Sequence, residues 1–209
     1  MARYLEGRPL AQGRLGVLPS AFNPPTTAHV ALAEAARQAA GLDQVAFTLP
    51  ERFPHKQFEG ASFEQRARML TALTAGHAGW ATAATEGGLF LEMARELLQL
   101  SGPGVEAVVL CGRDAAERIV GWDYGEGPPI ERQLEEFRLA VAEREGSYAP
   151  PAELASRIVR VPMPAEARAV SSSAVRAAIA AGRPWERMVP RPVAAVIREL
   201  GLYGAARDR

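Results

Sequence analysis

The chain has 209 residues, 48% of them hydrophobic, and its 24 Lys and Arg residues balance 24 Asp and Glu residues. A chain of this length builds one sizeable hydrophobic core and lacks the residues for two full domains. We therefore expect a single domain over residues 1–209, with an N-terminal extension over 1–12 and a helical C-terminal part over 171–209. Because the net charge is zero, no basic field favours nucleic acid, and a small-molecule partner fits better.

The cysteine content and the lack of long apolar segments indicate the cellular compartment. Cys111 is the single cysteine, so an internal disulfide framework is excluded. It lies in the apolar run 105–111, which predicts a buried thiol in a reducing compartment. Residues 1–13 have no apolar core, and no later window approaches membrane-spanning length, so neither a signal peptide nor a membrane helix is expected. The sequence therefore predicts a cytoplasmic protein and leaves its oligomeric state open, a homo-oligomer included.

The first half of the chain alternates between strand and helix patterns. Apolar runs typical of strands occupy residues 15–18, 44–49, 80–84 and 105–111, and helical stripes occupy 30–40, 63–73 and 89–98. Ser62 and Gln65 form a capping box at the start of the second helix. Alternation of this kind implies parallel strands joined by crossover helices. The predicted fold class is α/β, a Rossmann-like doubly wound parallel sheet flanked by helices.

The second half of the chain adds the far side of the sheet and the C-terminal helices. Residues 121–129 are rich in Gly and Pro around Trp122 and predict a loop. Strands are predicted over 137–142 and 157–161, and helices over 171–181 and from Pro192 to Gly201. The chain is therefore expected to finish on helices.

A polar turn over residues 20–29 joins the first predicted strand to the first helix. At the carboxyl end of a parallel strand, the exposed N–H groups of the following helix favour an anion. Thr26 and Thr27 are candidate caps of that helix, and His29 falls in its first turn, where an imidazole can donate to a phosphate oxygen. The turn taken alone is equally compatible with a capped, Pro-rich corner and an incidental histidine.

A second candidate phosphate site lies at residues 170–176. Three hydroxyls, from Ser171, Ser172 and Ser173, stand at a predicted helix start, and Arg176 follows within two turns. Helix N–H groups and a guanidinium fork together suit a polyphosphate. Simple helix capping by serine is the alternative for this run.

Together the two segments resemble the T/HxGH nucleotidyltransferase superfamily, whose members carry a first-strand G-x-F-x-P-x-[TH]-x-x-H turn and a late I-S-S-[TS]-x-[IV]-[RK] helix start. Within it, the chain is most similar to the nicotinate or nicotinamide mononucleotide adenylyltransferases. The segments that carry this resemblance, in the family's order, are Phe22-Asn-Pro-Pro-Thr-Thr-Ala-His29, Pro54-His-Lys56, Leu110-Cys-Gly-Arg-Asp114 with Trp122, Val189-Pro-Arg-Pro-Val193 and Gly201-Leu-Tyr203.

The sequence also departs from the family's pattern. Pro19 and Ser20 stand where the family usually has Gly, and Ala28 replaces the Gly of the bacterial form. The bacterial T-x-D-T segment before the third helix is missing, and Glu86-Gly-Gly-Leu-Phe90 takes its place. This last difference falls where the pyridine ring of the acceptor is expected.

The resemblance implies attack of a mononucleotide phosphate on the α-phosphorus of ATP, with pyrophosphate leaving. The nucleophile is already an anion, so positioning and charge stabilisation suffice without a general base. By resemblance, the catalytic residues are His29, Thr26 and Arg176. The residues assigned to ATP are Ser20, Phe22, Gly112, Asp114, Ser171 and Ser172. Mg²⁺ is expected as the bridge between ATP phosphates, and no protein ligand for it is assigned.

By resemblance, His55, Lys56 and Trp122 bind the mononucleotide acceptor. Lys56 would neutralise the acceptor's phosphate, and Trp122 would stack on its aromatic ring. Ordinary structural roles remain open for several candidates: a loop position for His55 and Lys56, an anchor of the loop for Trp122, and an N-cap for Asp114. The alternative functions are adenylyl transfer to another phosphorylated acceptor, such as phosphopantetheine, and nucleotide binding without catalysis.

Overall fold

The computed structural model of the protein describes residues 1–52, 60–143, 146 and 148–206. Its centre is a seven-stranded sheet with the spatial order β1-β4-β3-β2-β5-β6-β7. All neighbours from β4 to β7 pair in parallel, and β1 pairs antiparallel with β4. The strands are β1 (Arg3–Glu6), β2 (Arg14–Pro19), β3 (Gln44–Pro50), β4 (Trp80–Thr85), β5 (Glu106–Gly112), β6 (Phe137–Glu143) and β7 (Ile158–Pro162).

Helices connect the strands and form the C-terminal part. They are α1 (Thr27–Ala40), α2 (Phe63–Thr74), α3 (Phe90–Leu100), α4 (Arg113–Val120), α5 (Ile130–Gln133), α6 (Ala165–Arg168), α7 (Ser172–Ala180) and α8 (Arg191–Leu200). The predicted capping box at Ser62 and Gln65 is present at the start of α2. Gly201 ends α8 in the left-handed conformation, with a φ of 63°, as the sequence predicts. The α/β class and the C-terminal helices are thus confirmed.

The first strand has no counterpart in the sequence prediction. Arg3–Glu6 is only four residues long and carries a charge at each end, so it lacks the apolar run that marks a buried strand. It pairs on one side only, at the edge of the sheet beside β4, where polar side chains reach water. The segment predicted as an extension therefore contributes this edge strand.

Alternating side chains of the strands bury both faces of the sheet. On β5, Val108 and Leu110 belong to the apolar cluster that includes α1, α2 and α8, whereas Val109 and Cys111 belong to the cluster that includes α3 and α4. Helices on both faces are what a doubly wound parallel sheet needs, because each face is apolar.

The strand order indicates at which edge of the sheet a ligand would bind. The chain runs outward from β2 through β3 to β4, then returns to β5 on the other side of β2 and continues outward to β6 and β7. The direction reverses between β2 and β5, and such switch points leave a crevice at the carboxyl ends of the strands. The segments that start at Ser20, Glu86 and Arg113 all lie on this edge.

Burial of Cys111 leads to a first prediction. Burial raises the pKa of the Cys111 thiol to about 12, so at pH 8 only about one thiol in ten thousand is a thiolate. We expect the folded protein to resist a thiol reagent at pH 8, and the chain unfolded in guanidinium to react at one thiol. An unfolded thiol ionises above about pH 8.5 while the folded one stays neutral, so stability should fall as pH rises from there. Rapid labelling of the folded protein would contradict this burial.

Candidate functional site

The turn between β2 and α1 lies at the switch point of the sheet. The backbone N–H of Ser20 donates to the Thr48 carbonyl at 3.3 Å, which ties the start of the turn to β3. Phe22 adopts a positive φ of 47° and its side chain is fully buried. Its ring packs 5.0 Å from the ring of His29 and 5.9 Å from that of Phe47. Phe22 therefore anchors the turn, and only its backbone can reach a ligand at the surface.

The position of the proton on His29 follows from the capping box of α1. Thr26 is the N-cap, and its backbone N–H donates to Nδ1 of His29 at 3.0 Å. A backbone N–H can only donate, so Nδ1 is the acceptor and the neutral ring carries its proton on Nε2. The Thr26 hydroxyl lies 2.8 Å from the same Nδ1. On the other side of the ring, Nε2 lies 3.2 Å from Ser20 Oγ, so its N–H is directed towards the turn.

The start of α7 packs against this turn. Ser172 Oγ donates to the Pro24 carbonyl at 2.8 Å. Arg176 Nη1 donates to the Asn23 carbonyl at 2.7 Å, and Nη2 contacts Ser173 Oγ at 3.4 Å. Two segments 148 to 153 residues apart in sequence therefore meet, as they would have to if both held one ligand.

These contacts distinguish the roles of the serines. Ser171 is the N-cap of α7 and its Oγ accepts from the Ala174 N–H at 3.1 Å. Its structural role is therefore helix capping, the alternative given above for the serine run. The hydroxyl proton of Ser172 is engaged with the turn. Arg176 uses two of its five N–H donors in these bonds, which leaves its guanidinium able to contact an anion as well.

Further side chains hold the turn through hydrogen bonds, and the sequence motifs predict no functional role for them. Asn23 Oδ1 accepts from the Tyr203 hydroxyl at 2.7 Å and from the Ala61 N–H at 3.2 Å. Arg66, a buried residue of α2, donates through Nη1 to the Ala21 carbonyl at 3.0 Å. Burial raises the pKa of Tyr203, so its hydroxyl stays protonated and remains a donor. Asn23 and Tyr203 lie in motifs that the sequence shows, whereas Arg66 lies within an amphipathic helix and carries no such signal.

The carboxyl end of β5 supplies the next predicted residues. Gly112 is the N-cap of α4, and a Cβ built on it would meet no heavy atom within 4 Å, so the backbone there is open to a ligand. Asp114 lies in the first turn of α4 and is exposed. The N-cap alternative for Asp114 is wrong, because Gly112 holds that position. Trp122 lies on the predicted loop after α4 and is 55% exposed, so its ring is accessible to a ligand.

A cavity of about 670 Å³ lies at the carboxyl end of β4, on the same edge of the sheet. Arg52, the segment from Glu86 to Leu89, Glu92 and Glu96 line it. Leu89 is 52% exposed there. His55 and Lys56, predicted for the acceptor, lie outside the described residues, and Arg52 is the last described residue before them.

Comparison with protein families and curated proteins gives consistent matches. Residues 17–178 match the model of the family described as cytidylyltransferase-like. The chain is 35% identical over 202 residues to a probable nicotinate-nucleotide adenylyltransferase of Gloeobacter violaceus, covering 91% of this chain and 96% of that protein. It is 38% identical over 200 residues to a protein of the same name from Bordetella pertussis, covering 91% of this chain and 98% of that protein.

Solved structures share the fold at low sequence identity. Plasmodium falciparum nicotinic acid mononucleotide adenylyltransferase complexed with NaAD superposes with a TM-score of 0.69 at 15% identity, covering 92% of this chain and 98% of that chain. The same enzyme complexed with APC gives a TM-score of 0.66 at 14% identity. The family match over most of the chain and the near full-length relatives show that the chain belongs to the cytidylyltransferase-like family, among the nicotinate-nucleotide adenylyltransferases.

Proposed function

We propose that this chain transfers AMP from ATP to nicotinate or nicotinamide mononucleotide, releasing pyrophosphate and forming a dinucleotide. The observation that carries the proposal is the Nε2–H of His29, held by the N-cap of α1 beside Ser20, with Arg176 bonded to the same turn. The near full-length relatives that carry the nicotinate-nucleotide adenylyltransferase name support the reaction class.

The reaction needs no proton removed from the nucleophile. An oxygen of the acceptor's phosphate attacks the α-phosphorus of ATP, the new P–O bond forms, and the bond from the α-phosphorus to the bridging oxygen breaks, with both electrons leaving on pyrophosphate. Negative charge builds on the α-phosphate oxygens and on the leaving group. Preorganised donors aimed at those oxygens lower the barrier.

His29 is placed to act as such a donor. Its Nε2–H contacts Ser20 Oγ, and an α-phosphate oxygen in that position would accept the same proton as a hydrogen bond. Thr26 fixes the ring through two contacts to Nδ1 and so works as a positioning residue. The exposed N–H groups at the start of α1 add a partial positive charge.

The remaining assigned residues are proposed to hold the other parts of the two substrates. Arg176 contacts the β- and γ-phosphates through the guanidinium donors that the turn does not use, and Ser171 and Ser172 place the start of α7 beside them. Gly112 allows close approach of the nucleotide, and Asp114 accepts from a ribose hydroxyl. Trp122 stacks on the acceptor's ring, while His55 and Lys56 stay predictions for the acceptor's phosphate.

Mg²⁺ fits this site as a companion of ATP. Within the described ranges, no three His, Cys, Asp or Glu side chains converge as a metal site. An ion that binds together with ATP would need few protein ligands and would supply positive charge to offset that of the leaving pyrophosphate. The chain's own residues position the phosphates.

The primary test is pyrophosphate release from ATP with nicotinate mononucleotide, nicotinamide mononucleotide and phosphopantetheine offered separately. We expect release with at least one pyridine mononucleotide and none with phosphopantetheine. ATP binding without release from any acceptor would instead support a non-catalytic nucleotide-binding protein.

Replacing His29 tests the proposed donor. We expect His29→Ala to lower kcat by about 100-fold or more, with a smaller change in the Kd for ATP, because the donor acts on charge that develops in the transition state. His77→Ala is the matched control, since His77 stacks 3.5 Å from the Trp80 ring and lies outside the site. Near-normal turnover in His29→Ala would rule out the assignment.

Replacing Arg176 tests the phosphate clamp. We expect Arg176→Ala to raise the KM for ATP by about tenfold or more, as loss of charge-assisted hydrogen bonds costs about 1.5–3 kcal/mol. Arg183→Ala, an exposed arginine beyond the far end of α7, is the control and should leave the KM unchanged. An unaltered KM for ATP in Arg176→Ala would mean that the serine run and Arg176 only hold the turn.

A further inference from the structure

A further cavity, of about 580 Å³, lies at the amino ends of the strands, opposite the turn that holds His29. The residues that line this amino-end cavity are Arg14, 105–107, 135–138 and 156–157. They belong to the starts of β2, β5 and β6 and to the segment just before β7. Because β5 has seven residues, about 20 Å of strand separates the amino-end cavity from the carboxyl ends of the sheet. A ligand there would occupy a site separate from that of the proposed adenylyl transfer.

The carboxylates of the amino-end cavity are already paired. Three glutamates line it, and each forms an ion pair with an arginine. The pairs are Glu106 with Arg14 at 3.2 Å, Glu135 with Arg132 at 3.2 Å and Glu136 with Arg95 at 2.6 Å. The negative charge of the lining is thus offset by positive charge that these pairs supply.

Two further arginines of the lining carry charge that no carboxylate offsets. Arg138 and Arg157 form no ion pair with any described residue. The Nε of Arg138 is buried and has no hydrogen-bond partner in the described part of the chain, and Nη2 reaches the Ser156 carbonyl only at 3.5 Å. A guanidinium stays charged in proteins. Partial burial without a counter-charge costs free energy, so such a group gains from an anion that approaches it.

The sheet places these two arginines side by side. Leu139 of β6 pairs with Ile158 of β7 in parallel register. The residues that precede this pair, Arg138 and Arg157, therefore start from backbones about 5 Å apart, and both line the amino-end cavity. Like charges at neighbouring positions of two strands repel each other. An anion between them would replace this repulsion by charge-assisted contacts to both guanidinium groups.

We propose that the amino-end cavity binds an oxyanion of the phosphate type between Arg138 and Arg157, either free or as the phosphate group of a small molecule. Guanidinium groups suit such an anion because their paired N–H donors match the spacing of its oxygens. A volume of about 580 Å³ lies within the range of sites that hold a whole small molecule. A phosphate ester therefore fits as well as the free ion.

The test is a titration of the isotope-labelled protein with inorganic phosphate, followed by NMR at the Nε–H of Arg138 and at the backbone amide of Ile158. We expect both resonances to shift with a saturable dependence and a Kd of about 1 mM. Chloride at the same ionic strength should give no saturation. Shifts that grow linearly up to about 20 mM phosphate would overturn the proposal. A Kd for AMP about tenfold below that for phosphate would identify a phosphate ester as the ligand, and an equal Kd would identify the free ion.

Variants of the two arginines test their roles. Arg138→Gln and Arg157→Gln each remove one positive charge, so each should raise the Kd for phosphate at the Ile158 amide by about tenfold. Arg157 is exposed, so its replacement leaves the core untouched. Arg183→Gln, an exposed arginine outside this cavity, is the matched control and should leave the Kd unchanged. An unchanged Kd in Arg157→Gln would contradict the proposal.

A further variant separates this cavity from the turn between β2 and α1, where phosphate also binds if the proposed function holds. We expect Arg176→Ala to weaken the phosphate-induced shifts of the turn and to leave the Kd at Ile158 unchanged. Loss of binding at Ile158 in this variant would attribute the shifts to the turn and overturn the amino-end site. Absence of binding at the turn with saturation at Ile158 would count against the proposed function alone.

Discussion

Most of the hydrogen-bond partners of the turn between β2 and α1 lie outside the sheet, and much of the site depends on these bonds. A buried peptide group without a partner costs about 1–3 kcal/mol, so such a turn persists only if other segments satisfy it. The partners of its peptide groups come from α1, α2 and α7: His29 to the Thr26 N–H, Arg66 to Ala21, Arg176 to Asn23 and Ser172 to Pro24. Tyr203, in the 3₁₀ turn Leu202–Gly204, bonds to the Asn23 side chain.

The hydrogen bonds that satisfy the peptide groups of the turn also orient the side chains proposed to bind phosphate. The Thr26 N–H determines which nitrogen of His29 carries the proton, and that proton faces Ser20 Oγ. Arg66 and Arg176 donate to carbonyl groups of the turn and so bring two positive charges next to it, although the chain as a whole has no net charge. Glu92 and Glu96 lie at the same edge of the sheet, beside the cavity at the end of β4.

Several features of the fold and site follow from short-range patterns. The strands β2 to β7 and the main helices are visible as apolar runs and stripes, because burial on both faces of a parallel sheet demands them. The capping box of α2 and the end of α8 at Gly201 depend on neighbouring residues and were predictable for that reason. The edge strand β1 escaped prediction because a one-sided, half-exposed strand needs no continuous apolar run. The burial of Phe22 and the hydrogen bond from Arg66 to the turn depend on residues that are distant in sequence, so local sequence patterns do not predict them.

The sequence by itself determined the α/β class and the order of the elements. Its motifs also led to the nucleotidyltransferase family, since periodicity and local motifs are properties of adjacent residues. Only the tertiary structure decided that α7 packs against the first turn, that Nε2 is the protonated nitrogen of His29, and that Glu92 and Glu96 accept hydrogen bonds from the N–H groups before α3. Each of these depends on the distance between particular atoms. Hydrogen bonds act over about 3 Å, and residue types and spacings alone do not specify such distances.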